Sequence, residues 1–375
     1  MNKKIIFIAD YFAEHILGGG ELNNEEIILI LKQSGYSVIK TQSHLVTLDF
    51  LKNNEKSFFI IANFMNLHHE NKLFLKKTNY IIYEHDHKYL RSRNPAIYKN
   101  FQAPEKDLLN YHFYKDAKVI LCQSNFHKGI MKKNLNLDNI VNLGGNLWSL
   151  ESLKKMRELS IMNKVDRCSI MRSQISHKNT QGSINYCISK SWDYDLISSP
   201  NYFDFLQKLG ANKKFIFLPK TPETLSRVVV EARMMGCTVV ANKLIGATSE
   251  EWFKLKGEEL VAFMIEKRNQ IFSIIEGIMK SSTAYQDRPL VSIITTFHEG
   301  EKYLENFLSN IVEQTYYDKC ELIIIDAAST GKEQETIQSY IDRYENIIYV
   351  RCNEKLPPTP CLNLAIKKAK ADFIT

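Results

Sequence analysis

The chain has 375 residues, 44% hydrophobic and 24% charged, which is enough for two or three domains with cores of their own. Its apolar runs, such as Ile5 to Ala9 and Leu322 to Ile325, fall far short of the ~18 residues of a membrane span. Seven cysteines without a C-x-x-C pair fit reduced thiols in a cytoplasmic protein. A net charge of +7 favours anionic partners, but no tight Lys/Arg block, RNA-binding aromatic signature or zinc spacing is present, so nucleic acid is not an expected partner. A peripheral contact with the inner face of an anionic membrane stays open, because Lys72, Lys76 and Lys77 share one predicted helix; an ordinary solvated face is the simpler account. The opening MNKKIIFIADYF starts like a signal peptide, but Asp10 interrupts the apolar run and a first β-strand is expected instead.

Residues 1–150 alternate strand and helix as a doubly wound sheet does, with strands expected at Lys4–Ala9, Tyr36–Lys40, Ser57–Asn63, Tyr80–Tyr83, Lys118–Cys122 and Ile140–Leu143. A dinucleotide fingerprint would place G-x-G-x-x-G directly after the first strand; here Gly18-Gly19-Gly20 come about nine residues later and Asn23 replaces the third glycine, which argues against an oxidoreductase. At the end of the fourth strand stands a polar burst, Glu84-His85-Asp86-His87, where open α/β sheets face their ligand crevice. A metal set built from His85, His87, His68 and His69 lacks completing ligands. Trp148 to Met162 reads as a helical connection to a second domain, 151–285. That domain has strands near Ser169–Met171 and Tyr194–Ser198, a helix at Tyr202–Leu209 and a closing helix from Glu259 to Lys280.

The stretch from Phe215 to Gly246 is the most constrained. Phe215–Leu218 reads as a strand closed by Pro219 and Pro222, Leu225–Met235 as a helix stopped by Gly236, and Cys237–Ala241 as the next strand. Glu223 and Glu231 have seven residues between them, roughly 12 Å along a helix. Glu231 lies among Val228, Val229, Val230, Ala232, Met234 and Met235, and a buried carboxylate needs a cation such as Arg227 or Arg233, or ligand hydroxyls. Helix-start amides at Leu225, Ser226 and Arg227 offer an anion site between the two carboxylates.

This stretch, PETLSRVVVEARMMGCTVVA, resembles the E-x7-E region of the family-four retaining glycosyltransferases. The resemblance implies an α/β, GT-B fold of two Rossmann-like domains that moves a sugar from a nucleotide-sugar donor to a saccharide or lipid-linked acceptor without a metal cofactor. It implies that Glu223 meets the donor sugar, that the Thr224, Leu225 and Ser226 amides meet phosphate, and that Glu231 holds the ribose. Gly19 and Gly20 match the glycine-rich loop that approaches the donor phosphate, and His85 matches a strand-end histidine near the reacting sugar. Arg172 and Lys178 match the basic pair for the diphosphate. Thr224, Leu225 and Ser226 stand where the family has glycines. A non-catalytic nucleotide-sugar or glycan-binding scaffold and a GT-B-like nucleotide-sugar epimerase are the alternatives.

A change of character at Asp287-Arg288-Pro289 introduces a third segment, 288–375, whose VSIITTFHEG and IIIDAAST resemble the start of a family-two, GT-A glycosyltransferase. Asp326 matches the acidic residue that holds base or ribose there, with Ala327 and Ala328 in place of the usual Asp-Gly. No Asp-x-Asp metal motif occurs within 288–375, so the segment reads as a truncated or degenerate domain, and a divalent metal is expected only if a complete domain continues beyond Thr375.

Overall fold

The computed structural model describes residues 4–16, 18–286, 291–371 and 373–375. The chain divides into two compact units, 1–279 and 280–375; the sequence boundary at Asp287–Pro289 lies outside the described residues.

The first unit contains two parallel sheets. Strands β1 (Lys4–Ala9), β2 (Ser37–Gln42), β3 (Phe58–Ile61), β4 (Asn79–Tyr83), β5 (Ile120–Cys122) and β6 (Ile140–Asn142) form one sheet in the order β2-β1-β3-β4-β5-β6. Successive residues of a strand face opposite sides of its sheet. Ile6, Ile8, Phe59, Ile61 and Tyr80 accordingly enter one core while Ile5, Phe7, Phe58, Ile60 and Tyr83 enter the other. Burial on both faces is what a parallel sheet requires and explains why these strands read as unbroken apolar runs.

The order reverses between β1 and β3, and Asp10, just past β1, holds the reversal together. Its carboxylate accepts the amides of Met65 and Asn66, each at 3.0 Å, and the hydroxyl of Ser43.

The second sheet runs β10-β9-β7-β8, with β7 (Val165–Met171), β8 (Tyr194–Ile197), β9 (Asn212–Phe217) and β10 (Thr238–Ala241). It reverses between β7 and β9. A helix at Thr180–Ser189, absent from the sequence reading, joins β7 to β8. The helix Glu258–Gln286 leaves this domain and returns to the first, where Ile271, Ile275 and Met279 pack in the same core as Ile27 and Leu31.

Two details differ from expectation. The helix after β9 spans Arg227–Met234 and not Leu225–Met235, because Ser226 takes a left-handed conformation, φ 74°, that ends any helix before it. Glu223 lies in an extended bridge to Ile245, so the helical rise does not set its separation from Glu231. The helix expected to carry Lys72, Lys76 and Lys77 ends at Leu75, and two of these lysines are committed locally: Lys72 donates to Asn110 and covers the Phe64 ring, and Lys76 pairs with Asp116 at 2.9 Å.

The two domains of this unit meet along a polar seam. Ser124 donates to the Thr224 carbonyl at 2.5 Å, Asn125 N–H to Glu250 at 2.5 Å, and Phe126 N–H to Ser249 at 3.0 Å. Gly246 lies under it, where a Cβ would fall 2.1 Å from the Thr224 oxygen and 2.5 Å from the Ser124 hydroxyl.

The second unit holds β11 (Val291–Phe297), β12 (Cys320–Asp326), β13 (Ile347–Arg351) and β14 (Phe373–Ile374) in the parallel order β13-β12-β11-β14. Among the described residues no helix is long and apolar enough to cross a membrane.

Gly246→Ala is expected to cost about 1–3 kcal/mol of stability, because the atom in the way is backbone. Gly129→Ala, in a helix with open space at its Cβ, is expected to stabilise by about 0.5–1 kcal/mol. Urea unfolding of the two variants checks both signs.

Candidate active site

The carboxyl ends of β1, β4 and β5 and of β7 and β9 face a common cleft of about 460 Å³. Its lining includes Gly19, Gly20, His85, Lys178, Glu223, Thr224, Ser226 and Glu231. Eight of the eleven residues singled out from sequence therefore meet at one place, although they come from positions 19 to 231.

Lys178 Nζ pairs with Glu223 Oε1 at 2.8 Å on one side of the cleft. Glu231 is 3% exposed, and its Oε1 accepts from Trp148 Nε1 at 2.9 Å and from the Tyr202 hydroxyl at 2.7 Å. Arg227 Nε lies 3.5 Å from the same oxygen, one helical turn away, and its guanidinium covers the Trp148 ring at 4.6 Å. The cation expected beside Glu231 is thus Arg227; Arg233 turns instead to the Leu255 carbonyl. Gly19 fits against Arg227: a Cβ there would stand 3.0 Å from Arg227 Cδ.

His85 is held at both ring nitrogens. Nε2 is 2.6 Å from Asn24 Oδ1, and Nδ1 meets the side-chain amide of Gln123. Burial, with help from Lys88, lowers its pKa to about 3, so the ring is neutral at pH 7 and both nitrogens are engaged. The Thr224 hydroxyl, which lies 3.0 Å from the His85 carbonyl and 3.0 Å from Gln123 Oε1, ties this strand end to the turn from the other domain.

Behind His85 lies a buried ionic cluster. Lys88, fully buried, meets Glu84 directly and Asp86 at 3.5 Å, and Asp86 also meets Arg93. Burial pushes the Asp86 carboxyl up, but Lys88 and Arg93 outweigh it and hold the pKa at about 2. Burial lowers His87 to about 4 and His127 well below its ordinary value, and the two rings stand edge to face at 5.2 Å.

Three expected residues are not at the cleft surface. Met171 lines the cleft, so Arg172, the next residue out of the strand, turns away and is exposed. Leu225 is fully buried in the core with Trp148 and Val229. In the second unit, a cavity of about 550 Å³ is lined by Thr296, His298, Ala327 and Lys355 among others, but not by Asp326. The Asp326 carboxylate is 1% exposed and is taken up by the Ser329 amide at 2.8 Å and the Tyr349 hydroxyl at 2.7 Å. It closes its own turn and does not reach the cavity. Among the described residues there is no group of three or more His, Cys, Asp or Glu side chains placed to hold a metal ion.

Gln123, Asn146 and Tyr202, which the sequence reading did not single out, complete the lining, while Asn24 and Trp148 hold His85 and Glu231 from behind it. Gln123 had a signal, because it ends a strand on the same edge as His85. Asn146 and Ser226 are 3% and 7% exposed, and each keeps an unpartnered buried side-chain oxygen in the cleft.

Comparison with known proteins bears first on the second unit. Residues 292–375 match the model of Glycosyl transferase family 2. The chain is 32% identical across 89 residues to an uncharacterized glycosyltransferase of Methanocaldococcus jannaschii, covering 24% of this chain and 31% of that protein. It is 28% identical across 87 residues to a putative teichuronic acid biosynthesis glycosyltransferase, TuaG, of Bacillus subtilis, covering 23% and 34%. The chain thus spans about a third of the length of these curated relatives. A solved glycosyltransferase from Rickettsia africae covers 75% of this chain and 91% of its own, at 14% identity and a TM-score of 0.42. In the first unit, two doubly wound domains facing one cleft make a GT-B-like architecture, and the residues that match the family 2 model follow it in sequence.

The buried histidines set a pH dependence. His85, His87 and His127 bind protons less readily folded than unfolded, so the unfolded chain takes up more protons below its histidine pKa of about 6.5. Stability is fully present above that value. It is expected to fall on acidification toward pH 4, by about 1.4 kcal/mol per pH unit for each histidine. Denaturant titrations between pH 4 and 8 measure the slope, and His127→Gln should remove one histidine's share of it.

Proposed function

We propose that residues 1–286 form a glycosyltransferase that takes a nucleotide-sugar donor and transfers its sugar, with retention, to a saccharide or lipid-linked acceptor in glycan synthesis. The observation that carries this reading is the pairing of each motif carboxylate with a cation in one cleft: Glu223 with Lys178 at 2.8 Å, and Glu231 with Arg227 at 3.5 Å. Such a cleft has carboxylates for sugar and ribose hydroxyls and cations for a diphosphate, and no metal enters the scheme.

In this reading the departing diphosphate is stabilised by Lys178 and by the helix that starts at Arg227, preorganised donors that meet charge as it develops. Glu223 accepts hydrogen bonds from the sugar and Glu231 from the ribose. His85, with both nitrogens already engaged, serves as a neutral, fixed wall beside the reacting centre and takes no proton. The family 2 segment, whose relatives include a putative teichuronic acid biosynthesis enzyme, supports a place in polysaccharide or glycoconjugate assembly.

One observation favours a second reading, a non-catalytic scaffold. Thr224 and Leu225 occupy the turn expected to approach the sugar, with Thr224 fastened to the opposite domain and Leu225 spent on the core.

A calorimetric screen of the full chain against UDP-, GDP-, ADP- and CMP-linked sugars tests the reading. Saturable binding to one base series is expected, with Glu231→Gln weakening it about 10-fold or more and Glu223→Gln lowering turnover more than affinity. Binding without hydrolysis or transfer supports the scaffold, and no binding by folded protein rejects both.

A further inference from the structure

The cleft has two unlike poles. Lys178 and Glu223 mark one. At the other, Ser226 and Arg227 open the helix, and their side chains stand at the cleft in different states. The Ser226 hydroxyl is buried without a partner. A buried hydroxyl left unpaired carries a desolvation cost that a ligand oxygen would remove. Arg227 is only 8% exposed at its side chain, yet a guanidinium has five N–H donors. One nitrogen reaches the Leu147 carbonyl, and Nε stands 3.5 Å from Glu231, a loose ionic contact with room for a closer acceptor. Its guanidinium lies over the Trp148 ring at 4.6 Å, and its stem packs against Gly19. The charge is therefore preorganised, and the position expected of a second phosphate cation, Arg172, is exposed and away from the lining.

We propose that the Arg227 guanidinium and the Ser226 hydroxyl together bind the diphosphate of the nucleotide donor. This inference rests on the donor-cleft reading above and adds to it which groups meet the phosphates. On binding, Arg227 exchanges its loose contact with Glu231 for phosphate oxygens, and Glu231, still held by Trp148 and Tyr202, turns its acceptor capacity to the ribose hydroxyls. The pair in the ligand-free cleft thus keeps a buried carboxylate beside a buried cation until a ligand supplies phosphate oxygens for the one and hydroxyl donors for the other. The Ser226 hydroxyl donates to the same phosphate group, at the helix end where the dipole already favours negative charge.

The test compares nucleoside diphosphates with their parent nucleosides, because only the former carry the phosphates. Calorimetry of the full chain with UDP, GDP, ADP and CDP and with uridine, guanosine, adenosine and cytidine first identifies the base that the wild type binds. Arg227→Gln is then expected to weaken the diphosphate about 10- to 100-fold while changing the nucleoside less than about 3-fold, with Arg227→Lys between the two and Ser226→Ala weakening the diphosphate several-fold. Raising salt should weaken diphosphate binding by the wild type more than by Arg227→Gln. Equal losses for nucleoside and diphosphate would make Arg227 a purely structural clasp and overturn the proposal, as would unchanged diphosphate binding in Arg227→Gln. A shared loss from poor folding is recognised by melting temperature, and Ser226→Ala then decides alone: undiminished diphosphate affinity in that variant overturns the proposal. A wild type that binds no nucleotide at all removes the donor-cleft reading itself, and this inference with it.

Discussion

The burial of Glu231 is the constraint from which the rest of the first unit follows. A carboxylate that is 3% exposed needs partners from whatever surrounds it, and here they come from three different places in the chain: Trp148 in the connection between domains, Tyr202 on a neighbouring helix and Arg227 one turn back on its own. Those partners fix the connection against the second sheet and place the helix start opposite the Gly19 backbone. The cost of desolvating one charge is thereby converted into a specific arrangement of two domains. The same partners leave the helix start with unspent donors, and this is why the cleft is polar at a point where the surrounding core is apolar.

Most of the scaffold was legible in the chain because parallel strands buried on both faces leave long apolar runs. Lys4–Ala9 and the β4 segment could be placed within a residue or so. The shared location of Gly20, His85, Lys178, Glu223 and Glu231 was legible for a different reason: each follows a strand end or a helix start, and a doubly wound sheet gathers such positions on one edge. What could not be read was decided by single dihedrals and by parity. One positive φ at Ser226 moved the helix start by two residues, and one step of strand alternation sent Arg172 outward where Met171 faces in. The helix at Thr180–Ser189 has little amphipathic pattern, since it follows a short 3-10 turn and buries only Ser183 and Cys187. Nothing in the sequence pattern sets Tyr202 and Trp148 apart from other aromatics; only the fold brings both to the Glu231 carboxylate.

The second unit shows how far a motif and its geometry can diverge. Asp326 stands at the end of β12, as the sequence pattern demands, yet Ser329 and Tyr349 consume its carboxylate and the nearby cavity is lined by Ala327 and His298 instead. His298 keeps an unpartnered buried Nδ1 there. Residues 292–375 thus match the family 2 model in sequence while the acidic residue serves the fold.

The seam at Thr224 also bears on the cleft. This residue is fastened through its carbonyl to Ser124 and through its hydroxyl toward His85 and Gln123, all from the opposite domain, and it directly follows Glu223. The hydrogen bonds that join the two domains are therefore the ones that hold Glu223 at the cleft, and a substitution that loosens the seam displaces a cleft carboxylate as well.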